Sequence, residues 1–155
     1  MADQDTELML RAAQGDEDAF AVLFSRYYAR AVNVAYRFLG SQDAAEDIAM
    51  DAFVRIYETK NAFRGSSKFS TYLYRVVVNR CLNAAKRKSI VREETFSEEH
   101  QRMAGFTDPG AILQKEEAST VVKQAILDLP TNQRLAIVLT SYEGLSYQSA
   151  AEAMG

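Results

Sequence analysis

The sequence holds no tryptophan, one cysteine, one histidine and two prolines in 155 residues, and each scarcity removes a class of protein. A single Cys81 and a single His100, set in differently composed segments, cannot build a disulfide framework or a metal-ligand cluster from this chain. Such cysteine usage suits a reducing compartment. With proline only at positions 109 and 130, nothing of that kind interrupts a helix over the first hundred residues. No apolar run reaches the roughly 18 residues that a membrane-spanning helix needs, and the opening MADQDTELML lacks the basic-then-apolar order of a secretory signal. A cytoplasmic chain without membrane insertion is expected. A glycine-rich phosphate loop is also missing, and no histidine stands ready for a Ser-His-acid triad, so neither catalysis nor a cofactor is expected.

What remains is a chain 48% apolar, long enough for one modest core or two small ones. Its apolar residues recur at three and four rather than two, which predicts an all-α fold. A short helix over 6–14 ends near Gly15, and Asp16 caps the next one, with Glu17 and Asp18 at its positive end. That helix runs to Leu39 on the stripe Phe20, Leu23, Phe24, Tyr27, Ala31, Val34, Ala35 and Phe38, with Gly40 to end it. Ser41 or Asp43 opens a third helix, whose stripe is Ala45, Ile48, Ala49, Ala52, Phe53, Ile56 and Tyr57. Residues 63–68 read as a loop, and Ser70 or Thr71 caps a long helix reaching about Lys88. Residues 89–112, rich in Glu and Ser, read as a flexible linker. Beyond it come a helix halted at Pro130, another ending near Gly144, and a last short one capped by Ser146. The predicted domains are therefore 1–88 and 113–155.

Charge is sharply segregated. Residues 1–59 carry eleven acids against five Lys or Arg and residues 93–155 carry ten against four, whereas Lys60 to Arg92 carries nine bases and no acid. A solvated helix usually interleaves both signs for i,i+4 pairing, and this stretch forgoes every such pair. On a helical wheel Tyr72, Arg75, Asn79, Asn83 and Lys86 share one face, opposite Leu73, Val77, Cys81 and Ala84. Asn offers a donor and an acceptor to a base edge, Arg and Lys take phosphates, and Tyr72 can stack on a base. The stretch reads as a nucleic-acid-binding surface; the competing reading is a solvated helix face with its loop aromatics tucked into the core. If about five of these bases meet phosphates of a single strand, the log–log salt slope is on the order of −3 to −4.

On the third helix the outer face mixes Asp43, Asp47, Asp51 and Glu58 with exposed Met50 and Val54, which suits docking on a basic partner helix or, more plainly, an acidic solvent face. Cys81 reads as a small buried apolar residue rather than a nucleophile.

Taken together, GDEDAFAVLFSRYY at 15–28, AAEDIAMDAFVRIYE at 44–58, FRGSSKFSTYLYRVVVNRCLN at 63–83 and LPTNQRLAIVLTSYEGLSY at 129–147 resemble a bacterial extracytoplasmic-function (ECF) sigma factor. The resemblance spans nearly the whole chain. It implies two small helical domains on a flexible linker, a sigma2-like bundle and a sigma4-like helix-turn-helix unit, that bind core RNA polymerase and direct it to promoters. It implies that Asp43, Glu46, Asp47, Met50, Asp51, Val54 and Arg55 dock on the coiled coil of the polymerase's largest subunit. It implies DNA contacts, chiefly with the melted single strand of the minus-ten element, from Phe63, Arg64, Ser66, Ser67, Lys68, Phe69, Tyr72, Arg75, Asn79, Arg80, Asn83, Lys86 and Arg87. An anti-sigma factor is a further implied partner.

The sequence departs from the family at its end. Ser146–Met154 resembles the first helix of the helix-turn-helix, with Gln148-Ser149-Ala150 where Glu-Ile-Ala is more usual, and the recognition helix that would follow is absent from the sequence. The second domain is accordingly expected to be poorly folded, since Leu145, Ala151 and Met154 lack a packing partner, and upstream-element reading is expected to be weak. A helical adaptor or decoy that binds polymerase or an anti-sigma factor without reading DNA is the rival from another class. A nucleic-acid enzyme is a third reading, for which no metal or nucleophile site can be assembled.

Overall fold

In a computed structural model the backbone is described for residues 3–94 and 114–155, and side chains for 3–88 and 119–155. Among the described residues the chain forms helices and no strands, as the three-and-four periodicity predicts. Most of the starts are written in local side chains. Asp3 accepts from the Thr6 N–H at 2.8 Å to begin α1, Gln4–Ala13. Asp16 accepts from the Ala19 N–H at 3.1 Å to begin α2, Glu17–Leu39, and the Ser41 hydroxyl accepts from the Ala44 N–H to begin α3, Gln42–Glu58. These oxygens satisfy donors that a helix N-terminus leaves free. Helix α2 stops at Gly40, which takes the left-handed φ of 78° and returns its N–H to the Tyr36 carbonyl at 2.7 Å; a side chain there would be strained.

A 3₁₀ turn at Lys60–Ala62 leads through the loop to α4, Phe69–Glu94. Helix α4 thus begins one residue before Ser70 and continues past Lys88, through the first six positions of the expected linker; the rest of that linker, 95–112, lies outside the described residues, as does His100. Helices α5, Gln114–Asp128, α6, Thr131–Ile137, and α7, Tyr147–Met154, follow, with a π-helical turn at Val138–Tyr142 between the last two. Pro130 precedes α6, and Ser146 caps α7 by accepting the Ser149 N–H at 3.0 Å.

Helices α2 and α3 pack most extensively, and α1 and α4 close the bundle around them. Leu23, Ala31, Val34, Ala35 and Phe38 of α2 meet Ala45, Ala49, Ala52, Phe53 and Ile56 of α3 in full burial. Phe53 takes edge contacts from Phe20 and Phe24, at 6.3 and 5.0 Å between ring centres. Tyr57, expected in that stripe, instead lies at its rim, 37% exposed, with its hydroxyl on Glu17 at 3.2 Å; being last on the stripe, it has a polar tip that reaches water.

The C-terminal helices do not stand apart. Ile126, Leu135, Val138, Leu139, Ala150 and Ala153 belong to the same buried cluster as the N-terminal helices. Helix α7 lies on α4, with Leu145 and Met154 half-buried against the core, which corrects the expectation that those two residues lack a partner; only Ala151 faces solvent. The small residues at 150 and 153, both buried, let the α7 backbone approach α4 closely. Polar ties reinforce it. The Glu143 carboxylate, 7% exposed, accepts from the Tyr74 hydroxyl at 2.8 Å and from Arg30 Nε at 3.3 Å. Arg134 donates to the carbonyls of Phe38 at 2.8 Å, Leu127 at 2.7 Å and Leu129 at 3.1 Å, so one guanidinium serves the free carbonyls at the ends of α2 and α5.

Candidate nucleic-acid and polymerase interfaces

The basic surface is built on α4 and the loop before it. Leu73, Val77 and Cys81 are fully buried and Ala84 is half-buried, which fixes the helix's rotation and turns Arg75, Asn79, Asn83 and Lys86 to solvent. Arg87 is exposed as well, and Arg80 is half-buried. Burial with no compensating charge pushes the Cys81 thiol up to about 12, so it is a protonated core residue at neutral pH.

The loop's aromatics divide. Phe69 is fully buried, its ring edge-on to Tyr27 at 5.4 Å. This corrects its expected place among the DNA contacts: as the first residue of α4 it points inward, and its accessible surface is gone. Phe63 is 8% exposed and tilts against Tyr72 at 5.3 Å, while Tyr72 is half-buried with its hydroxyl 3.4 Å from Thr59 Oγ1. Around this aromatic pair Arg64, Ser66 and Lys68 are exposed and Ser67 is half-buried. Arg64 Nη1 donates to the Asn61 carbonyl at 2.6 Å, which folds the loop back on the 3₁₀ turn.

Besides Tyr72, a second residue of the polar α4 face is already engaged. Arg75 donates through Nε and Nη2 to the Glu152 carbonyl of α7, at 3.2 and 3.1 Å. Asn79, Asn83, Lys86 and Arg87 lie farther along the helix and stay exposed.

The second surface is the outer face of α3. Asp43, Glu46, Asp47, Met50, Asp51, Val54 and Arg55 are all exposed, Met50 by 44% and Val54 by 47%. Gln42 Nε2 steadies Glu46 at 2.9 Å. Two methyl-bearing side chains ringed by carboxylates form a shallow apolar step in an acidic field, the complement of a basic helix with apolar teeth.

Sequence reasoning missed Thr6, Tyr74 and Glu143. Thr6, buried at 2% exposure, stands one helical turn before Leu10 on α1, so a polar residue at an inward position was a usable signal. Glu143 gives no such sign, because its burial depends on how α7 and the π turn meet α2 and α4. The Tyr74 hydroxyl is held protonated well above the usual phenol range, by burial first and by the Glu143 carboxylate second. Among the described residues no group of three or more His, Cys, Asp or Glu is placed to hold a metal ion, and no helix is long and apolar enough to cross a membrane.

Residues 23–90 match the family described as Sigma-70 region 2, a span that contains both surfaces. The RNA polymerase sigma-H factor of Pseudomonas aeruginosa is 32% identical over 98% of this chain and 83% of its own length. The ECF RNA polymerase sigma-E factors of Escherichia coli K12 and Haemophilus influenzae are each 32% identical over 99% of this chain, and over 85% and 86% of their own lengths. The fold is that of CnrH, solved in complex with the cytosolic domain of CnrY, with a TM-score of 0.74 at 22% identity over 99% of this chain and 84% of that one. Aligned with such relatives along nearly all of its length, and carrying the matched region on its two exposed surfaces, the chain belongs to the ECF RNA polymerase sigma factors.

Proposed function

We propose that the chain seats itself on core RNA polymerase through the outer face of α3 and captures the melted minus-ten strand of a promoter on the outer face of α4 and the loop at 63–68. As a sigma factor it acts in transcription initiation. The observation that carries the assignment of surfaces is the opposite chemistry of two exposed helix faces in one bundle. Acidic α3 displays Met50 and Val54, while α4 displays Asn79, Asn83, Lys86 and Arg87 with no acid from 60 to 92.

Lys86 and Arg87 fit phosphates, and Asn79 and Asn83 fit base edges. Arg75 joins them once its bond to α7 is exchanged for one to a phosphate. Half-buried Tyr72, backed by the buried Phe63 ring, supplies an aromatic wall for an unstacked base. Extruding that base costs a few kcal/mol, which stacking of about 1–3 kcal/mol and edge hydrogen bonds offset, so recognition is coupled to melting. The reading makes the protein a binding factor without bond-making chemistry of its own, working in the cytoplasm where polymerase is, with an anti-sigma factor as a partner.

The test separates the two surfaces. Asn79→Ala should reduce promoter opening about tenfold, for one lost base contact worth 1–3 kcal/mol, while leaving affinity for core polymerase unchanged. Asp47→Arg should abolish core binding first and promoter opening with it. Equal loss of core affinity in both variants would end the division of labour.

A further inference from the structure

The start of α4 is held from elsewhere in the chain. The residue before Phe69 is Lys68, whose carbonyl takes the first helical bond from Tyr72 N–H at 3.1 Å but whose side chain can only donate. The Phe69 N–H, buried with its residue, donates instead to Thr6 Oγ1 at 3.0 Å, across 63 positions of sequence. The caps of α1, α2, α3 and α7 come from the residue next to the helix; this one comes from α1.

The same helix braces the loop. Gly65 takes a left-handed φ of +75°, and a Cβ there would stand 3.4 Å from Leu10 Cδ1 and 3.7 Å from Thr6 Cγ2. Thr6 and Leu10, one turn apart on α1, therefore form a floor on which Gly65 lies. A third tie runs through the core, since the Tyr27 ring that meets Phe69 edge-on donates its hydroxyl to Asp5, which also pairs with Arg26. Loop middle and helix start are both referenced to the first two turns of α1.

We infer that Thr6 is a positioning residue for strand capture: its hydroxyl oxygen fixes the first turn of α4, and so the pose of Tyr72 and the 63–68 loop, for a single-stranded DNA segment with an unstacked base. This rests on the assignment of that loop and α4 as the capturing surface. Thr6 touches no DNA itself. Without its oxygen the Phe69 N–H is buried and unpaired, a state the first turn relieves by unwinding or shifting, and Tyr72 lies in that turn.

The experiment uses the full chain bound to core polymerase. The probe is a labelled single-stranded oligonucleotide selected from a random pool on the wild-type holoenzyme. Thr6→Val keeps the shape and removes the acceptor; it should weaken probe binding about tenfold, speed hydrogen exchange at the Phe69 amide, and leave core affinity within twofold. Thr6→Ser restores the acceptor and should bring probe binding back. Unchanged probe binding in Thr6→Val, no rescue by Thr6→Ser, or a matching loss of core affinity would overturn the inference, the last by showing that Thr6 only holds the bundle. A wild-type holoenzyme that selects no oligonucleotide would instead remove the strand-capture reading, and the inference with it.

Discussion

Helices α1–α4 and α5–α7 share one buried cluster but are held by different means. The first four carry the large fully buried side chains Tyr74, Phe38, Phe53, Phe69 and Met9, whereas the last three and the π turn among them contribute Leu135, Val138 and Leu139, two alanines and Ile126. They also leave Val121 67%, Val122 48% and Tyr147 86% exposed. Among the described residues, what α5–α7 lack in buried aromatic area is met by polar ties to α2 and α4 through Arg134, Glu143 and the Glu152 carbonyl, with Arg37 over the Tyr142 ring at 3.7 Å. Apolar area costs a great deal to re-expose, while hydrogen bonds exchange with water at small net cost. The N-terminal helices are thus built to stay together and the C-terminal helices to be separable from them.

Three measurements bear on that contrast. The largest effect is expected from Phe53→Ala, which should cost about 3–5 kcal/mol and unfold the whole chain in a denaturant titration, because α7 rests on α4. A second transition that leaves α5–α7 folded would break the contrast from one side. Next, Arg134→Met removes hydrogen bonds to three carbonyls and should cost roughly 2–3 kcal/mol. Hydrogen exchange should then quicken across α5–α7 and leave α2 and α3 protected; uniform quickening would mean a single cooperative unit.

The smallest effect concerns pH. The Cys81 thiol is raised by burial from 9.0 to about 12, and the Tyr27 and Tyr74 phenols are raised as well, both first by burial. In each case the folded state keeps a proton that the unfolded state gives up. This stability is complete below pH 9 and is lost as pH rises toward 12, amounting for the thiol to about 1 kcal/mol by pH 10. Cys81→Ala should flatten that decline, and the thiol of the wild type should resist alkylation until the N-terminal helices open. A slope unchanged by the substitution would show that the thiol does not report on the core.

The features legible in the sequence are those decided by neighbours. Asp16, Ser41 and Ser146 cap the helices that follow them, Gly40 ends α2, and the rotation of α4 follows from Leu73, Val77 and Cys81 against Asn79 and Asn83, because caps and periodicity act within one or two turns. The misplaced features are decided at a distance. A local cap would place the α4 start at Ser70 or Thr71, whereas the acceptor lies on Thr6. Phe69 looked available because an aromatic at a loop's end can face either way, and only Tyr27 on α2 settles it. The docking of α7 was invisible because Ala150 and Ala153 look indifferent until α4 is beside them. Family resemblance supplied the rest, the polymerase and promoter partners, which no periodicity contains.

The bond from Phe69 to Thr6 also has a consequence in time. During synthesis α1 leaves the ribosome before α4, yet the amide that its threonine receives is made 63 residues later, roughly 3–13 s at ordinary elongation rates. Until then the inward oxygen of Thr6 and the apolar side of Leu10 await a partner. The first helix of the chain is completed only when its fourth begins, so a nascent chain that stops at the end of α3 is incomplete at both ends.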